Sequence, residues 1–122
     1  MLGEEHPQTL LAANNYADSL NCLERFEEAR SLMRRTIPVA RRVLGDSHDI
    51  TLKMRWVYCG ALYKDDGATL DDLREAVKTL EETERTARRV LGGTHPVRTA
   101  IEVELRHARA VLAAGEKLWA SA

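Results

Sequence analysis

Apolar residues recur at intervals of three and four along most of the chain, which is the spacing of one face of an α-helix. No stretch alternates apolar and polar residues at every second position, so the pattern predicts no strand. Short polar segments divide the spacing into five predicted helices. In chain order, the first four apolar stripes are Leu10, Ala13, Ala17 and Leu20; Phe26, Ala29 and Met33; Leu52, Trp56, Cys59 and Tyr63; and Leu73, Ala76, Leu80 and Ala87.

One phrase marks an internal repeat. The letters ARRVLG occur at 40–45 and again at 87–92, and a histidine follows each copy. His6, His48 and His95 are 42 and 47 residues apart, so the second interval carries an insertion of five residues. The extra residues fall in the turn-like stretch KDDGATLDD, and insertions in repeat proteins map to loops. The chain is therefore predicted to consist of repeated units.

The repeated phrase predicts a helix end, a turn and a helix start. Its paired arginines suit the last turn of a helix, where the dipole favours cations. Gly45 and Gly92 stand where a left-handed residue would end that helix. The histidines come at the next helix start, where a capping or packing role is favoured. Thr69 followed three residues later by Asp72 predicts a further helix cap.

The segment from Leu2 to Gly45, LGEEHPQTLLAANNYADSL…RFEEARSLMRRTIPVARRVLG, resembles the tetratricopeptide repeat of the kinesin light chain type. That variant opens with Leu-Gly-x-x-His-Pro-x-Thr and carries an Asn-Asn-Leu-Ala-like segment in its first helix. The segment 44–92 is similar once the insertion is allowed for, and the remainder shares LGGTHP and one helix. The resemblance implies a right-handed α-solenoid built from antiparallel helix pairs.

The predicted fold class is therefore all-α, a tetratricopeptide-like array of two repeats with a C-terminal capping helix. We expect a single domain over residues 1–122, with units at 2–43 and 44–90 and a partial unit at 91–122.

The resemblance also implies a partner-binding surface. In related domains the paired asparagines line a concave groove and can hold the backbone of a bound peptide, and Asn14 and Asn15 match them. Trp56 and Val103 stand at the position of Asn14 in the later units, so the ladder of asparagines is not continuous. The residues predicted to form the concave surface are Asn14, Asn15, Asp18, Trp56, Gly60 and Arg106.

Composition narrows the function classes. The net charge is −1, from 18 basic and 19 acidic residues, which gives no general attraction to nucleic acid or to an anionic membrane. The opening MLGEEHP lacks the features of a signal peptide. Cys22 and Cys59 are interpreted as reduced, buried thiols of a cytoplasmic protein.

Candidate chemistry is sparse. Histidines in successive repeats are too far apart to share a metal ion, and the acidic residues of KDDGATLDD lack the spacing of a calcium loop. There is no glycine-rich phosphate loop and no arrangement that indicates a catalytic nucleophile. We therefore predict a protein that is not an enzyme and has no cofactor and no metal.

Three functions remain open from the sequence. The first is a protein-interaction module that binds a peptide or protein on its concave face. The second is a structural segment of a longer array, or a self-associating scaffold, in which the N-terminal helix pair could form a homodimer because nothing precedes it to cover Leu10 and Leu11. The third is a regulatory appendage of an enzyme.

Overall fold

The computed structural model describes residues 3–121, and this part of the chain forms five α-helices and no strand. The all-α prediction is confirmed. The unit limits stay a prediction, and the outermost ones, Leu2 and Ala122, lie outside the described residues. The helices are α1 (Pro7–Cys22), α2 (Phe26–Val43), α3 (Asp49–Tyr63), α4 (Leu70–Val90) and α5 (Pro96–Ser121).

The three repeated histidines cap helices. Each precedes α1, α3 or α5, and its Nδ1 atom accepts a hydrogen bond from the backbone N–H two residues later, which would otherwise lack a partner at the helix start. The predicted capping role is confirmed, and so is the Thr69–Asp72 capping box before α4. The bonded pairs are His6 with Gln8 at 3.1 Å, His48 with Ile50 at 3.1 Å and His95 with Val97 at 3.2 Å.

The two copies of the phrase end their helices differently. Gly45 has a φ of 89° and ends α2 in the left-handed conformation, as predicted. The same prediction for Gly92 is wrong, because Leu91 is already extended at φ −116° and ψ 146° when the chain leaves α4. In the first copy Leu44 keeps helical angles, which postpones the change of direction to the glycine.

Glu24 occupies the left-handed position between α1 and α2, with a φ of 60°. The N–H of Arg25 reaches back to the carbonyl of Leu20 at 2.8 Å, and the N–H of Glu24 bonds to the carbonyl of Asn21 at 3.0 Å. These two bonds form a Schellman motif, in which glycine is the usual residue at the position of Glu24.

The core has two halves that meet at α3. One half lies between α1, α2 and α3, and the other lies between α3, α4 and α5. Helices α1 and α3 contact each other, as do α3 and α5, whereas α2 and α4 do not touch within residues 3–121. The first helices of the units therefore lie side by side, and the second helices diverge. Leu10, Met33 and Met54 are fully buried in the first half, and Leu52, Leu62, Leu80 and Ile101 in the second.

Removing a histidine cap should weaken the fold. Loss of an N-cap side chain typically costs about 1 kcal/mol, so His48→Ala should lower the free energy of unfolding in urea by about that amount. His48→Asn should retain most of the stability, because asparagine also caps helices. His107→Ala is the matched control, since His107 is exposed within α5. Equal losses in the two alanine variants would contradict the capping role.

Glycine at position 24 should stabilise the protein. A left-handed backbone costs an L-residue roughly 1–2 kcal/mol, and glycine avoids most of this cost. We expect Glu24→Gly to raise the free energy of unfolding by about 0.5–1 kcal/mol in the same urea experiment. Lys78→Gly, in the middle of α4, should instead lower it by about 1 kcal/mol. A destabilised Glu24→Gly variant would show that the turn is not strained.

Candidate partner-binding site

The contact between α1 and α3 is fixed by one side chain. The amide of Asn21 donates a hydrogen bond to the backbone carbonyl of Val57 at 3.0 Å. Asp18 and Asn15, three and six residues earlier, lie about 60° and 120° around α1 from Asn21 and are exposed. We call the surface along α1, α3 and α5 the first-helix face, defined by Asn15, Asp18, Asn21, Gly60, Lys64, Val103 and His107.

Gly60 forms the floor of the first-helix face. A Cβ atom at this position would lie 3.5 Å from the Asn21 amide nitrogen and 3.7 Å from the Lys64 ammonium. Asn21 from α1 and Lys64, the residue after α3, therefore both lie directly above the backbone of Gly60. An amide and an ammonium, both hydrogen-bond donors, meet at this point of the surface.

Glu104 joins α5 to the end of α3. Its carboxylate accepts a hydrogen bond from the hydroxyl of Tyr63 and pairs with the ammonium of Lys64 at 3.2 Å. Burial, reinforced by Glu104, raises the pKa of the Tyr63 hydroxyl, so this group stays protonated and keeps donating. Lys64 also lies over the Tyr63 ring, 5.7 Å from its centroid. The position of Lys64 on the first-helix face is thus fixed by two contacts.

Four of the predicted residues on α1 and α3, namely Asn14, Asn15, Asp18 and Gly60, differ in their exposure to solvent. Asn15 and Asp18 are exposed, and Gly60 is buried beneath its neighbours. Asn14 is only 6% exposed, and its amide oxygen has no hydrogen-bond partner among the residues that the structure describes. Leaving a buried acceptor unpaired costs about 1–3 kcal/mol, and such groups concentrate at functional sites.

Trp56 is both a core and a surface residue. It is partly buried and packs against the half of the core between α3, α4 and α5. Truncating it would therefore remove core packing together with any contact to a partner.

The structure does not bring Arg106 to the other predicted residues. Glu104 contacts α3, and Arg106 follows two residues later, about 200° further around the helix, so it points away from α3. The residue that aligns with Asp18 and Gly60 in the third unit is His107. Sequence reasoning also missed Asn21 and Lys64, although Asn21 repeats Asn14 two turns later along the same helix side.

A second surface lies on the side of α1 and α2 that faces away from α3. Two adjacent pockets of about 450 and 310 Å³ follow the contact between these helices, and Leu32 and Arg35 line both. Tyr16 at its edge is 55% exposed. We call this surface the N-terminal seam, lined by Leu10, Ala13, Tyr16, Leu20, Leu32, Arg35 and Val39.

Reactive groups are few in this part of the chain. Within residues 3–121, no three His, Cys, Asp or Glu side chains are placed to share a metal ion. Cys59 is buried as predicted, which raises the pKa of its thiol and keeps it neutral, whereas the prediction of burial is wrong for Cys22, which is exposed. None of the helices described is long and apolar enough to cross a membrane.

Stacked antiparallel helix pairs whose first helices share one face define an α-helical repeat protein. Residues 9–49 match the family model of the tetratricopeptide repeat, which supports the resemblance found in the sequence. The kinesin light chain type of repeat is consistent with this match. Searches among curated proteins and solved structures found no match. Tetratricopeptide repeats are generally protein-interaction modules and typically non-catalytic scaffolds.

Proposed function

We propose that this protein is a non-catalytic interaction module that binds a peptide or protein partner on the first-helix face. One observation carries the proposal: α1, α3 and α5 lie side by side and leave Asn15, Asp18 and Lys64 exposed around the glycine floor. An amide, a carboxylate and an ammonium can together bond the N–H groups, carbonyls and charged side chains of an extended peptide. The cytoplasmic location stays a prediction.

Peptide selection tests this proposal without a known partner. A phage-displayed random peptide library is selected on the immobilised protein, and the enriched peptides are measured by fluorescence anisotropy. Because these side chains would contact the peptide directly, the double variant Asn15→Ala/Asp18→Ala should weaken binding by about tenfold or more. Its melting temperature should change little, since exposed substitutions usually cost within about 0.5 kcal/mol.

The matched control is the double variant Lys78→Ala/Arg85→Ala on the exposed side of α4. It should bind the selected peptides as the wild type does. Peptides that lose binding to the control variant but not to Asn15→Ala/Asp18→Ala would place the site elsewhere. Failure to enrich any specific peptide would reject peptide recognition on this face.

The alternative function, self-association through the N-terminal helix pair, is favoured by the N-terminal seam. Its two pockets run side by side along α1 and α2 and are lined in part by apolar side chains, Leu10, Leu20 and Leu32 among them. The polar and charged residues that also line them are Glu4, Thr9, Glu27, Glu28, Ser31, Arg35 and Thr36. Two copies that pair seam to seam would bury Leu32 and Tyr16 of both chains.

A charge at the seam should dissociate such a dimer. Tyr16→Lys should shift the protein toward monomer in sedimentation velocity across a concentration series, because a lysine in an apolar interface must lose its hydration. Leu118→Lys is the control, since Leu118 is 74% exposed at the opposite end of the chain. A wild-type protein that is monomeric at every concentration would rule out the dimer. Dissociation by Leu118→Lys alone would place the interface on α5.

A further inference from the structure

A cleft separates the two second helices. It has a volume of about 300 Å³ and lies between α2 and α4, with α3 as its floor. Tyr58 in this floor is two residues from Gly60, about 200° around α3, so the cleft and the first-helix face are on opposite sides of the helix. The lining residues are Met33, Arg34, Ile37, Pro38, Arg41, Arg55, Tyr58, Thr79 and Glu82.

Arg55 is an unusual floor residue. In the repeat it aligns with Ala13, a small apolar residue, and its own side chain is only 11% exposed. Glu82 is its one hydrogen-bond partner within residues 3–121, at 3.3 Å, although a guanidinium carries five N–H donors. Each nitrogen atom of Arg55 that lacks a hydrogen-bond partner is still reached by solvent, so its donors remain accessible. Arg55 can therefore donate further hydrogen bonds toward the cleft.

Arg34 adds a second positive charge at the cleft. Its guanidinium lies over the ring of Tyr58, 5.9 Å from the centroid, and forms no ion pair within the described part of the chain. The hydroxyl of Tyr58 donates to Glu75 at 2.6 Å, which holds the ring in place beneath the arginine. A cation over an aromatic ring keeps its full charge.

The remaining charges of the cleft are largely satisfied. Arg41 bonds to Asp46 at 2.6 Å, and this bond lowers the pKa of the Asp46 carboxyl. Glu82 is the one carboxylate among the lining residues, beside three arginines. Arg34 and Arg55 are therefore the arginines of the cleft whose N–H donors are left for a ligand.

We propose that this cleft binds a carboxylate side chain from an acidic segment of a partner protein. The carboxylate accepts charge-assisted hydrogen bonds from Arg55 and Arg34, which arginine forms with planar, bidentate geometry. A neighbouring apolar residue of the segment packs against Ile37 and Pro38. A singly charged carboxylate fits better than a phosphate dianion, because Glu82 repels the second negative charge.

A pair of synthetic peptides tests the proposal. A fluorescein-labelled peptide of repeated Glu-Leu-Gly triplets is titrated with the protein and followed by anisotropy, and the same peptide with glutamine in place of glutamate is the reference. We expect the glutamate peptide to bind about tenfold more tightly. On binding, the Nε–H resonances of Arg34 and Arg55 should shift in ¹H–¹⁵N NMR spectra, and that of Arg85 should not.

Matched charge removals locate the site. Arg34→Gln should weaken the glutamate peptide by about tenfold, whereas Arg85→Gln, which removes the same charge from an exposed part of α4, should have less than a twofold effect. Arg55→Gln should act like Arg34→Gln. If Arg55→Gln lowers the melting temperature, its loss of binding could come from unfolding. The affinity of Arg34→Gln and the shifts of the Nε–H resonances then decide whether the cleft binds the peptide.

Three outcomes would overturn the proposal. Equal losses of peptide affinity in Arg34→Gln and Arg85→Gln would mean that the peptide is attracted by the overall charge of the surface and not by the cleft. Equal binding of the two peptides would mean that the carboxylates are not recognised. Displacement of the peptide by inorganic phosphate at a concentration and ionic strength where acetate fails would mean that the cleft selects phosphate.

Discussion

The burial of α3 is the constraint on which the rest of the structure depends. This helix contacts all four others, and ten of its fifteen residues are buried. One side of it completes the core with α1 and α2, and another completes the core with α4 and α5. Gly60 and Arg55 lie on different sides of α3, and each anchors one of the proposed sites.

The features that could be predicted from the sequence are local ones. A histidine that caps the N–H two residues later, or a threonine that exchanges bonds with an aspartate three residues later, needs no information from the rest of the chain. Apolar spacing is equally local and fixed the type and order of the helices. The same reasoning failed at Gly92, because Leu91 takes an extended conformation after α4, whereas the equivalent Leu44 keeps helical angles after α2.

The site was only partly predictable because its contacts cross between units. Asn21 bonds to Val57 across 36 residues, and Tyr63 bonds to Glu104 across 41. Neither pair can be recognised from the spacing of apolar residues within one helix. Asn15 was predicted through the family resemblance. Arg106 was predicted as well, although the repeat register places His107 at the position of Asp18 and Gly60.

Arg55 is a buried polar residue at a place where the second unit departs from the first. A repeat scaffold needs small or apolar residues between its helices, and Ala13 satisfies this need in α1. At the equivalent position α3 holds Arg55, which bonds to Glu82 and also interacts electrostatically with Asp46. A well-packed apolar residue would serve stability as well or better. The proposed contact with a partner's carboxylate would account for an arginine at this position. Because α3 is held by two packed cores, a partner in the cleft and a partner on the first-helix face would occupy opposite sides of a helix that cannot shift easily. This arrangement suits a scaffold that holds two partners at once rather than a switch between them.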